Sequence, residues 1–146
     1  MTPSAVSSTY GQSLTVSTNA AKGWTGWVKS QNVGLSSVTT SDSIPTFGTL
    51  NNTAQACSNG VDCYVLDVGI STTGSGSGSL TVDGEYGGNG TTTGGTLSNL
   101  YQPFASRTGK TAGDIVTFKA HASVTSTKAA GTDYSDVLTI VGAGNF

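Results

Sequence analysis

The sequence predicts an all-β chain, an antiparallel β-sandwich of Ig-like or Greek-key type with about seven strands, and three observations carry that prediction. Hydroxyl residues and glycine dominate: 20 Ser, 24 Thr and 21 Gly in 146 residues, with charged residues at only 10%, well below the usual quarter. The residues that build solvated helix faces are scarce, five Lys and the single Glu85, so the surface is left to hydroxyls and amides, which suit strands and turns. Period-2 alternation of apolar and polar residues recurs along the chain, and no 3.6-residue pattern persists for ten residues. The length suits one domain, 1–146, able to bury about two-thirds of its unfolded surface.

The elements follow in order. The start, "MTPSAVSSTYGQS", has neither the basic nor the apolar region of a secretory leader. "QSLTVST" (12–18) alternates, with Leu14 and Val16 inward and Ser13, Thr15 and Ser17 outward. "GWTGWVKS" (23–30) is the second strand. Trp24 and Trp27 stand three apart, so a regular strand sends one to the core and the other to the surface, whereas a bulge at Gly26 would put both on one side. An exposed Trp beside hydroxyls and amides would make a sugar-stacking platform or an interface anchor.

"ACSNGVDCY" (56–64) places Cys57 and Cys63 around an Asn59-Gly60 turn dipeptide. That spacing suits a small disulfide-closed loop and, with it, an oxidising compartment. Two unpaired thiols are the second reading. A zinc pair is the third, and it lacks ligands, because His121 is the only histidine. "CYVLDVGI" (63–70) then sends Tyr64, Leu66, Val68 and Ile70 to one face and Cys63, Val65 and Asp67 to the other. "STTGSGSGS" (71–79) and "YGGNGTTTGG" (86–95) read as long mobile loops flanking a short strand, "SLTVDGEY" (79–86).

"DIVTFKAHASVTS" (114–126) should be the longest strand, with Val116, Phe118, Ala120, Ala122 and Val124 in the core and Thr117, Lys119, His121 and Ser123 in water. "YSDVLTIVG" (134–142) is the last. Leu138 and Ile140 alternate against Val137, Thr139 and Val141, so both faces are apolar and the strand is expected to be central or covered. Tyr134 is placed to pack across the corner of a sandwich. Phe146, in the tail "GAGNF", reads as a frayed aromatic or as a plug into a neighbouring chain.

Chemistry-bearing motifs fail on inspection, and no catalytic residue is assigned. "RTGKT" (107–111) would need a glycine at Phe104 to form a phosphate loop. The Gly-Ser repeat meets the nucleophile-elbow pattern in neither register. His121 alternates outward with no orienting motif nearby and reads as a surface residue. Asp83 and Glu85 are too few for a calcium loop, so no metal or cofactor is expected. Asn51 and Asn89 meet the N-glycosylation pattern. The net charge of −2 and the scattered basic residues exclude a nucleic-acid footprint, and no apolar run is long enough to insert in a membrane.

Taken in order, "SLTVSTNAAKGWTGWVKSQNVGL", "SIPTFGTL", "CYVLDVGI", "YQPFASRTGKTAGDIVTFKAHASVT" and "KAAGTDYSDVLTIVGAGNF" resemble secreted bacterial surface β-sandwich proteins, broadly WxL-like domains and pilus or coat subunits. The Trp-x-Leu motif of the WxL group is missing, since Trp24 is followed by Thr25-Gly26 and Trp27 by Val28-Lys29. The resemblance implies an extracellular or cell-surface location. It also implies a structural, filament-forming role through β-strand addition to other copies or to surface proteins, with residues 1–11 as an extended arm. The alternative is a glycan- or receptor-binding adhesin module that uses exposed Trp and the Gly-rich loops.

Overall fold

A computed structural model describes residues 1, 3–9 and 11–146; Thr2 and Tyr10, both in the expected arm, lie outside the described residues. The described residues form thirteen strands. The first seven are β1 (Ser7–Ser8), β2 (Gln12–Thr18), β3 (Trp24–Ser30), β4 (Gly34–Ser37), β5 (Asp42–Pro45), β6 (Gln55–Ala56) and β7 (Cys63–Thr72). The remainder are β8 (Ser75–Gly76), β9 (Leu80–Val82), β10 (Thr93–Gly94), β11 (Gln102–Arg107), β12 (Thr111–Ser123) and β13 (Leu138–Gly144). All strand pairings are antiparallel, so the expected all-β class is the observed one.

Two sheets carry the architecture. In the first, β12 is the central lane, flanked by β1 and β2 on one side and by β7 and β8 on the other. The second runs β13-β3-β11-β9. Immunoglobulin order pairs the first strand with the second and the last with the penultimate. Here the first long strand, β2, lies beside the penultimate β12, and the last strand, β13, lies beside β3. Both strands thereby become sheet edges, and they meet at one side of the molecule, where Gly144 lies against Thr18 and Ala20.

The core between the sheets is apolar and dominated by aromatics. Trp24, Val28 and Phe104 of the second sheet pack with Leu66, Val68, Val116 and Phe118 of the first. Phe104 meets Phe118 edge-on at 5.0 Å between ring centroids, a geometry worth about 1 kcal/mol beyond its area. β3 runs without a bulge; the register shift falls on β11, between Pro103 and Ala105. Gly26 is instead the seat of the Phe104 ring, which occupies the space a Cβ would take. The turn from β2 to β3 needs Gly23, at φ 81°, where a Cβ would strike the Arg107 carbonyl.

Several expectations need correction. The outer face of the first sheet, expected to be wet at His121 and Ser123, is covered: both side chains are fully buried. A second apolar layer of Cys57, Cys63 and Val65, with Val6 and Phe47, lies over that face. The Cys57–Cys63 disulfide is formed, with Cα atoms 5.8 Å apart, and staples this layer. The segment expected as an arm folds back on its own sheet, Ser7 and Ser8 pairing with β12 and the Val6 N–H donating to Asn59 Oδ1 at 3.0 Å. The Gly-rich stretches, expected as loops, are hydrogen-bonded to the first sheet: Ser75–Gly76 pairs with Thr111 and Ala112, and Asp67 accepts from the N–H groups of Gly88 and Gly90. The β4–β5 hairpin and β11 escaped the sequence pattern. β13 is neither central nor covered.

Candidate functional site

Trp24 is buried, which removes it as a ligand platform, and its indole N–H donates to Asp114 Oδ2 at 2.9 Å. Asp114 Oδ1 accepts from Arg107 at 2.7 Å and from the Gly74 N–H at 2.8 Å, while Arg107 Nε donates to the Ser77 carbonyl. One carboxylate therefore ties the core Trp, the only arginine and the Gly-Ser loop together at one end of the sandwich. Burial pushes the Asp114 carboxyl up, but the bonds from Trp24 and Gly74 and the Arg107 charge outweigh it and hold the group below its ordinary value.

A second polar cluster sits under the outer layer of the first sheet. His121 Nδ1 lies 2.7 Å from Ser8 Oγ and its Nε2 lies 3.3 Å from Asp67 Oδ2. Ser, His and Asp are the residue types of an activated nucleophile, and here they join three segments that lie far apart in the chain. Ser8 Oγ also lies 3.0 Å from the Thr91 carbonyl, and the imidazole tautomer sets which of the two neighbours takes the hydroxyl proton. The backbone N–H groups of Gly88 and Gly90, the donors in the adjoining loop, are spent on Asp67. The three side chains thus bind the amino-terminal segment and the 86–95 loop to β12 and β7. No sequence signal joins residues 8, 67 and 121, because nothing local brings them together. Among the described residues no group of three His, Cys, Asp or Glu side chains is placed to hold a metal ion.

The third feature is the edge of β13. Val137 accepts from the Gln31 N–H and Asn145 donates to the Gly23 carbonyl, which makes the odd-numbered residues of this segment the ones bonded to β3. Leu138, Ile140, Gly142 and Gly144 therefore aim their backbone N–H and C=O groups away from the sheet, where no other strand among the described residues pairs with them. The edge is held firmly at its start: Asp136 accepts from the Ser30 hydroxyl at 2.7 Å and from the Asn32 N–H at 3.1 Å, and Ser36 and Ser135 form an isolated bridge.

The middle of this edge, residues 140–142, is apolar and uncovered on both faces, while Leu138 packs on the core and Gly144 lies against Thr18 and Ala20. Ile140 is opposite Val28 and so points to the core side, yet it is 38% exposed, whereas Val28 is 1% exposed. A Cβ at Gly142 would meet nothing within 4 Å. On the outer face Val141 and Pro103 flank Trp27 in register, with Val141 42% exposed. Tyr101 lies beyond them, its ring 5.7 Å from the Lys29 ammonium. Of the expected ligand residues, Trp27 is half-buried on this face and Phe146 is exposed. The sequence pattern could not reveal the edge, since apolar residues on both faces of a strand also describe a buried one. Comparison of the chain with protein-family models, with curated proteins and with solved structures yields no match.

Proposed function

We propose that the chain is a non-enzymatic structural unit of a cell surface, joined to other chains by β-strand addition at the edge of β13. The observation that carries this reading is the row of unpaired backbone groups at Leu138, Ile140, Gly142 and Gly144, backed by an uncovered Ile140. Natural sheets protect such edges with Lys, Pro, bulges or a covering segment. β13 pairs with β3 without a register shift, and "LTIVGAG" carries neither charge nor proline. An added strand gains main-chain hydrogen bonds and alternate apolar anchors, the general chemistry of strand addition. The disulfide supports an oxidising, extracellular location.

Light scattering coupled to size exclusion, with electron microscopy, tests the reading on the full chain over a range of concentrations. Assemblies heavier than the 14.6 kDa chain are expected; a protein that stays monomeric throughout would sink it. Glycan binding is the second reading, favoured by the Trp27 face between Pro103 and Val141. Its signature is array binding that Trp27→Ala abolishes while the fold is kept.

A further inference from the structure

The open edge carries more than the capacity to accept a strand: its side-chain sizes specify one. We infer that the partner of β13 is β13 of a second copy of this chain, paired antiparallel about a twofold axis through Val141. The inference rests on the strand-addition reading above.

In an antiparallel pair, two residues exchange hydrogen bonds only if both aim their backbone groups at the partner. The residues that do so here are Leu138, Ile140, Gly142 and Gly144. Full overlap of Leu138–Gly144 with its own copy sets Leu138 opposite Gly144 of the second copy and Ile140 opposite its Gly142. Every one of these is an outward-facing residue meeting another, so every pair can exchange its bonds.

The same register settles the packing on the core side. Each large side chain meets a glycine: Ile140 of one copy fills the space that lies open beside Gly142 of the other, where a Cβ would find no neighbour. A shift of two residues in one direction sets Ile140 against Ile140 and loses this match; the opposite shift keeps a glycine before Ile140 but sets Gly142 against Gly142, leaving the open space there unfilled, and Leu138 against Phe146. On the outer face Val141 meets Val141 at the axis, in a non-hydrogen-bonded pair, where side chains approach most closely. Thr139 meets Ala143. The two Trp27 rings flank this valine pair through their own register with Val141. No charge opposes another across the axis, since residues 138–146 carry no Lys, Arg, Asp or Glu. The contact is isologous, and it joins the two four-stranded sheets into one of eight strands.

Cysteine scanning tests the register on the full chain. Val141→Cys should give a covalent dimer under mild oxidation, resolved from monomer on a non-reducing gel. Thr139→Cys alone should not, whereas Thr139→Cys mixed with Ala143→Cys should give the cross-linked heterodimer. Ile140→Lys, with its fold verified by circular dichroism, should weaken association at least tenfold. Assemblies that form but show no Val141→Cys cross-link would overturn the twofold register and leave strand addition standing, as a head-to-tail addition to the edge of β2 would produce. A chain that is monomeric at every concentration would overturn both.

Discussion

Asp114 and Trp27 mark the two extremes of what a single side chain does in this fold. Asp114 is a buried acid that satisfies Arg107, Trp24 and the Gly74 backbone at once. Asp114→Ala leaves the indole N–H without its partner and the buried guanidinium with the Ser77 carbonyl but no counter-charge, and a loss of about 3–5 kcal/mol is expected in urea unfolding. The native carboxyl is held below its ordinary value, so its contribution is complete above the unfolded value near 4 and is lost as the pH falls through the lower native one. Stability should drop on acidification below about pH 4. Asp114→Asn should take up one proton fewer on unfolding in that range, a difference that pH-dependent denaturant melts measure. Gly26→Ala should cost about 1–3 kcal/mol by displacing the Phe104 ring. Trp27→Ala should change monomer stability far less than Trp24→Ala, whose side chain is 1% exposed.

At the scale of elements, β12 explains why the outward row of a strand can mislead. Its alternation was legible, and Val116 and Phe118 lie in the core as read. The opposite row was expected in water because Thr117, Lys119, His121 and Ser123 are polar. The disulfide loop, residues 3–9 and the 86–95 loop nevertheless fold over His121 and Ser123. Closing the seven-residue loop from Cys57 to Cys63 restrains the unfolded chain by about 2 kcal/mol. Cys57→Ser with Cys63→Ser should lower stability by that amount and raise amide hydrogen exchange at residues 119–123 before the rest of β12. At the opposite edge, Ile140→Lys should leave monomer stability within about 1 kcal/mol, because the side chain is already partly in water and edge lysines are tolerated.

The whole molecule is a sandwich whose terminal strands have crossed to the opposite sheets, and that exchange creates its most accessible chemistry. β2 and β13 end as neighbouring edges instead of pairing with β3 and β12 respectively. The all-β class, β2, β3, β7, β12, the disulfide and the Tyr134 corner, whose hydroxyl donates to the Ala129 carbonyl at 3.0 Å, were all within reach of the sequence. Each depends on local alternation, on turn residues or on partners close in the chain. The Ser8–His121–Asp67 clamp, the Arg107–Asp114–Trp24 tie and the open edge of β13 were not. The clamp and the tie join residues as many as 113 positions apart, and such pairing follows only from the order of strands in the sheets. Alternation states which residues share a face and is silent on what covers it. The sequence by itself thus determined that this chain is made of strands and which residues line each side of them. Only the tertiary structure decided which sides and which edges remain open, because burial is a property of neighbours that a strand's own pattern does not contain.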